Sequence, residues 1–214
     1  MEVTLNAVEV RVAGALIEKD LTTPDVYPLT LNSLLQACNQ LSNREPVVAF
    51  DEAMVREAVD SLREKRLMRV VSGAEHRVLK YKHVFPEALQ VTPPELALLC
   101  VLMLRGPQTL GELRGRTGRL HPFTDLAEVE TTLQGLMART QPPLLRHLPR
   151  QPGQKEARYV HVLMGTEAME EPAPGLREPS ENERIARLEA ACISLREEIS
   201  ELRRQFDEFR KAFE

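Results

Sequence analysis

The sequence predicts a mainly helical α+β chain with small β-hairpins, and three observations carry that prediction. One pattern is written twice: residues 5–85 and 91–163 each carry a capped apolar helix, a second short helix, and a third helix running into two strands. Equivalent positions also keep register within each element. Val55, Val59 and Leu62 answer to Val129, Leu133 and Leu136 at an offset of 74; Leu31 and Leu34 answer to Leu110 and Leu113 at 79. Glu9-Val10 answers to Glu95-Leu96 at 86, so the second copy has shorter loops between the same elements. Finally, a heptad seam stands apart at the C-terminus. A repeat fixes the fold unit, here three helices and a hairpin in about 75 residues, which is the winged-helix plan. The predicted division is a winged-helix domain over 1–88, a second over 89–165, a Pro-rich linker over 166–179 and a coiled-coil helix over 180–214.

The elements follow from local chemistry. Asn6-Ala7-Val8-Glu9 and Thr92-Pro93-Pro94-Glu95 are capping boxes that start the first helix of each copy, the second with Pro at the first helical position. Arg105-Gly106-Pro107 stops the latter. Thr109-Leu110-Gly111-Glu112 opens the next helix with another box, and Asp125 with Glu128 caps the third. In copy one Asp51 opens a helix whose core face is Val55, Val59 and Leu62. Strands are expected over Leu67–Val71 and Val78–Val84 about a Ser72-Gly73 turn, and over Leu144–Leu148 and Arg158–Leu163 about a tip from Pro149 to Lys155. These hairpins are the wings.

Composition narrows the function classes. With no Trp and 4% aromatic residues, neither an aromatic-lined pocket nor a base-stacking surface is expected. No basic leader precedes an apolar stretch, and the longest apolar run, Leu96 to Leu104, is too short to span a bilayer, so a cytoplasmic protein without membrane contact is expected. Cys38, Cys100 and Cys192 sit in no ligand spacing, so no zinc site or disulfide framework is built from them. Residues 1–90 carry 11 basic against 13 acidic side chains, residues 91–165 carry 9 against 6, and residues 166–214 carry 8 against 13. The acidity belongs mainly to the tail, and the body lacks the strongly basic balance of a protein that lives on phosphate backbones.

Three long stretches, LTTPDVYPLTLNSLLQACNQLSNREPV (21–47), LALLCVLMLRGPQTLGELRGRTGRLHPF (96–123) and LPRQPGQKEARYVHVL (148–163), resemble the YceH family of uncharacterised bacterial proteins. The resemblance covers roughly residues 4–165. It implies tandem winged-helix domains and a bacterial cytosolic origin. It implies no activity and carries across no catalytic residue.

For nucleic acid the signal is divided. A winged helix reads the major groove with its third helix and the backbone with its wing. In copy one the outer face of that helix shows Glu57, Asp60, Ser61 and Glu64, which repels phosphates; in copy two it shows Thr131, Gln134, Gly135 and Ala138. The basic residues lie beside these helices. Arg63, Lys65, Arg66, Arg69, Arg77, Lys80 and Lys82 crowd the first hairpin, and Arg146, Arg150, Lys155 and Arg158 surround the second. They would lie along phosphates, or serve as solvated charges that keep edge strands from pairing. The loop Asn39–Glu45 offers amides and Arg44, which would read base edges or else cap helices and satisfy their own backbone.

Catalysis is not expected. His76, His83, His121, His147 and His161 form no metal or catalytic spacing, Cys100 lies mid-run in a core helix, Cys38 lacks a placed base, and no Gly-rich phosphate loop occurs. No cofactor is expected. In the tail Ser180-Glu181-Asn182-Glu183 caps a helix whose apolar residues are Ile185, Leu188, Cys192, Leu195, Ile199, Leu202, Phe206, Phe209 and Phe213. Their alternating steps of three and four are a coiled-coil seam, and the pairs Arg184–Glu189 and Glu198–Arg203 favour a parallel dimer. The alternative is a helix folded back on its own domains. The expected function is that of a non-enzymatic, DNA-associated protein of the transcription-regulatory type, a homodimer through its tail. The alternative is a protein-interaction scaffold resembling chromosome-segregation accessory winged-helix proteins, with a protein partner in place of double-stranded DNA.

Overall fold

The computed structural model describes residues 4–71, 78–139, 143–150 and 156–165, all within one compact unit of the chain. The coiled-coil seam and the linker expected over 166–214, with Arg77 and Lys155, lie outside the described residues. Among the described residues the fold is mixed α/β: predominantly helical, with two small antiparallel sheets.

Copy one comprises α1 (Ala7–Thr22), a 3-10 turn (Pro24–Val26), β1 (Leu29–Thr30), α2 (Leu31–Cys38), α3 (Glu52–Glu64), β2 (Met68–Val71) and β3 (Lys80–His83). After α4 (Phe85–Leu89), copy two comprises α5 (Pro93–Arg105), α6 (Leu110–Thr117), α7 (Leu126–Met137), β4 (Leu145–Leu148) and β5 (Arg158–His161). The expected caps are in place. Asn6 Oδ1 accepts from Glu9 N at 2.9 Å while the Glu9 carboxylate accepts from Asn6 N at 2.8 Å, and Thr109 with Glu112 repeats the exchange. Asp51 accepts from Met54 N and Asp125 from Glu128 N, both at 2.8 Å. Each satisfies one orphan amide of a first turn.

The strands are shorter than the sequence suggests. The second begins at Lys80, with Val78 and Leu79 exposed before it, and the last ends at His161. Three pieces escape local pattern: α4, β1 and the bridge between Gln108 and Tyr159. In the first sheet the order is β1-β3-β2, with Leu29 opposite Tyr81. Gln108 stands where Leu29 does, at the offset of 79, and joins β5 through two backbone bonds to Tyr159. A two-residue strand carries no periodicity of its own, so only the partner strand defines it.

α1 and α5 form the centre. Residues Glu9–Ile17 of α1 and Leu96–Leu104 of α5 are buried on all sides, because each helix packs on its own repeat and on the other. A helix apolar all round must be covered all round. Gly14 makes the close approach possible: a β-carbon there would stand 2.9 Å from Leu104 Cδ2 and 3.2 Å from Met103 Cβ. Cys100 Sγ donates to Gly14 O at 3.5 Å in the same contact. One continuous apolar cluster links Leu16, Val59 and Leu62 to Leu98, Leu133 and Leu136.

Candidate nucleic-acid interface

The first sheet sorts its residues by pleat. Met68, Tyr81, His83 and Leu29 are buried, so alternation places Arg69, Lys80, Lys82 and Thr30 on the outer face. Register then decides which charges meet. Arg69 is directly opposite Lys82, and Lys80 lies between Thr30 and Val71. Like charges opposite one another in a ladder are destabilising by a few tenths of a kcal/mol to about 1 kcal/mol. Among the described residues none of these three cations has an ion pair. Lys80 and Lys82 repeat along β3 at about 6.6 Å, the two-residue step of a strand. Arg66, at the left-handed position that follows α3 (φ 58°), is also exposed.

Beneath this face the sheet is anchored. His83 Nε2 lies 3.1 Å from Asp20 Oδ2, and Tyr27 Oη accepts from His83 N at 2.7 Å. Burial pulls the His83 imidazole below its usual pKa, against the opposing pull of Asp20. Burial likewise pushes the Tyr27 phenol upward. Both side chains are supports for the hairpin.

The structure distributes the remaining candidates unevenly. Arg44 is a correction: its side chain has 0% exposure and cannot meet a phosphate or a base. It binds both oxygens of Glu18 at 2.6 and 3.0 Å, together with Ala37 O and Gln40 Oε1. Buried Arg11 donates to Cys38 O and Pro46 O, so two guanidiniums staple the loop over 39–46 from below. The loop's amides are similarly occupied: Asn39 exchanges two bonds with the Phe50 backbone, and Asn43 Oδ1 accepts from Arg105. The base-reading role fails for Arg44, whose guanidinium faces inward, while Ser42, Asn43 and Glu45 of the loop are exposed.

Lys65 is also committed. Its ammonium reaches both oxygens of buried Glu9 at 2.7 and 2.6 Å. Burial works to raise the Glu9 carboxyl, but Lys65, Ser61 and Asn6 together hold it below the ordinary value. Arg63 pairs with Asp60 at 2.9 Å on the surface of α3. In the second hairpin Arg158 donates to Pro107 O at 2.8 Å and lies 3.4 Å from Glu112, so it ties β5 to the start of α6. Arg146 is half-buried on β4, and Arg150 is exposed just after it.

The third helices present the faces their spacing implies. Glu57, Asp60 and Glu64 are exposed on α3, and Thr131, Gln134 and Gly135 on α7, with Ala138 exposed at its C-cap. Cys38 and Cys100 are fully buried, and burial pushes the Cys38 pKa up to about 12 and that of Cys100 higher still, away from the reactive thiolate. His161 is buried on β5 and His121 packs edge-on against Phe123. Among the described residues no group of His, Cys, Asp or Glu is placed to hold a metal ion, and no helix is long and apolar enough to cross a membrane.

The family model described as "Protein of unknown function, DUF480" matches residues 5–154. The chain belongs to this family. The resemblance expected from the three stretches within residues 4–165 is thereby borne out. A UPF0502 protein of Pelobacter propionicus is 51% identical over 221 aligned positions, with 100% of both chains covered. A second, from Geobacter sulfurreducens, is 53% identical with the same full coverage. A third, from Opitutus terrae, is 52% identical over 90% of this chain and 83% of its own. This DUF480 member therefore shares its tail as well as its repeats with the first two relatives.

Proposed function

We propose that the chain is a non-enzymatic tandem winged-helix protein that associates with duplex DNA through its first wing. The helix order and the strand order β1-β3-β2 support the winged-helix reading of copy one, and the Gln108 bridge extends it to copy two. One observation carries the DNA reading: Arg69 and Lys82 face each other without a counter-ion among the described residues, with Lys80 one step away. A sheet that holds like charges together gains most from a ligand of opposite sign, and a phosphate row is such a ligand. The acidic α3 face turns the third helix away from its usual reading role, so binding is sequence-poor and salt-sensitive. The heptad seam over 185–213 supports a dimer, which doubles the number of wings. A regulatory role of the transcriptional type fits such an arrangement.

The exposed carboxylates of α3 favour a second reading, a protein-interaction scaffold. An electrophoretic shift of random duplex at about 50 and about 200 mM salt separates the two. Retardation at the lower salt that Arg69→Glu and Lys80→Glu weaken across all sequences, and that Glu57→Lys with Asp60→Lys strengthens, is expected. Absence of retardation at the lower salt overturns the DNA reading in favour of the scaffold.

A further inference from the structure

A cleft of about 420 Å³ opens between the end of α1, the loop over 40–43, the end of α5, and α6 with the turn after it. Its volume is that of a small-molecule site. Lys19, Arg105, Arg116 and Arg119 line it against one carboxylate, Glu18, whose two oxygens Arg44 already holds. Three helices end here, and each C-terminus contributes about half a negative charge. Those ends, with Glu112 lying 3.7 Å from Arg116 and with Glu45 favouring the charged form of Arg105, answer part of the positive charge. A surplus remains, because Arg119 makes no ion pair or hydrogen bond among the described residues. Burial, and then the like charge of Arg116, disfavour the charged form of Arg105.

The neutral groups match this balance. The side-chain oxygens of Gln40 and Asn43, both of which line the cleft, are taken by Arg44 and Arg105, which leaves their NH2 groups as donors. Among the described residues no aromatic ring lines the cleft, so they offer no platform for a base. Two glycines, Gly115 and Gly118, lie on the same wall. A β-carbon at Gly115 or Gly118 would meet nothing within 4 Å, and the φ of Gly118 is an ordinary −55°. Neither packing nor backbone conformation calls for glycine, and Gly115 weakens a short helix. Their effect is to leave the wall bare where a ligand would approach.

We infer that this cleft between the repeats binds a small organic phosphate of the sugar-phosphate class, held by Arg105, Arg116 and Arg119, with the Gln40 and Asn43 amides on its hydroxyls. The site is independent of the wing and of the DNA reading. Calorimetric titration of the full chain at fixed ionic strength tests it, with inorganic phosphate, fructose 1,6-bisphosphate and a short duplex as separate probes. Saturable binding of the bisphosphate, tighter than inorganic phosphate, is expected. Arg119→Gln, which breaks no contact among the described residues, should weaken it by about tenfold or more. Gly115→Leu should abolish it without lowering the unfolding temperature of the free protein, and Arg69→Glu should leave it intact. The proposal falls if neither phosphate probe binds, if both cleft variants bind as the unchanged chain does, or if only the duplex binds in an Arg119-dependent way.

Discussion

Arg44 and Glu18 are joined by two parallel bonds, Nη2 to Oε2 at 2.6 Å and Nη1 to Oε1 at 3.0 Å, across 26 positions of sequence. The guanidinium is wholly enclosed and also supports Ala37 O, so the pair fixes the loop between α2 and α3 to the last turns of α1. Removing one partner of a buried pair strands the other. Arg44→Met should therefore cost about 3–5 kcal/mol in urea unfolding, while Arg44→Met with Glu18→Leu should cost less than the single change. Arg44→Lys should recover only part, since one ammonium cannot span both oxygens and a carbonyl. Duplex affinity should not move in the Lys variant; a tenfold loss there would restore Arg44 to the binding surface.

A second outcome concerns the helix crossing. Gly14→Val would place branched carbons against Leu104 and Met103 and should destabilise the chain by about 2–3 kcal/mol. Gly14→Ala should cost less, because helix propensity returns about 1 kcal/mol. Adding Leu104→Ala to Gly14→Val should recover stability relative to Gly14→Val alone. If it deepens the loss instead, the close contact is not the reason for the glycine.

Acid should loosen the second sheet. Burial holds His161 neutral and pulls its pKa down to about 4, and among the described residues its Nδ1 has no hydrogen-bond partner. The unfolded chain takes up a proton near pH 6.5, which the folded chain refuses until about pH 4. Stability is thus full above pH 6.5 and is lost as pH falls through that window, by about 3 kcal/mol at its lower end. His161→Leu should flatten the fall between pH 7 and pH 5 in denaturant midpoints. An unchanged slope in that variant would assign the acid sensitivity to other groups.

The tail yields a chemical test of assembly. Cys192 occupies an a position of the seam, where a parallel in-register dimer sets it against its own symmetry mate. Mild oxidation should give a covalent dimer that Cys192→Ser abolishes, whereas Cys38→Ser and Cys100→Ser, at buried positions, should not. A chain that light scattering finds monomeric would place the stripe against its own repeats.

Legibility in the sequence tracked the range of the interactions. Asn6 with Glu9 and Thr109 with Glu112 are three residues apart, so a cap is written locally and its helix start follows. The core triplets Val55, Val59, Leu62 and Val129, Leu133, Leu136 are equally local, and all six are buried. Arg44 fails for the opposite reason. Nothing near it in sequence announces Glu18, and an arginine in an exposed, amide-rich loop reads as solvent-facing. Lys65 and Arg158 were legible as basic but not as already neutralised, because Glu9 and Glu112 lie 56 and 46 positions away. Of the expected phosphate contacts, Arg69 with Lys82 became sharper only once strand register put them opposite.

The crossing of α1 over α5 bears on how the protein responds to dilution. In an assembly of separate subunits, a helix needing apolar cover on every side would lose its partner as concentration fell. Here both halves of that contact belong to one polypeptide, so each meets the other at an effective concentration set by the connecting chain alone. However little of the protein a cell makes, the two repeats stay married.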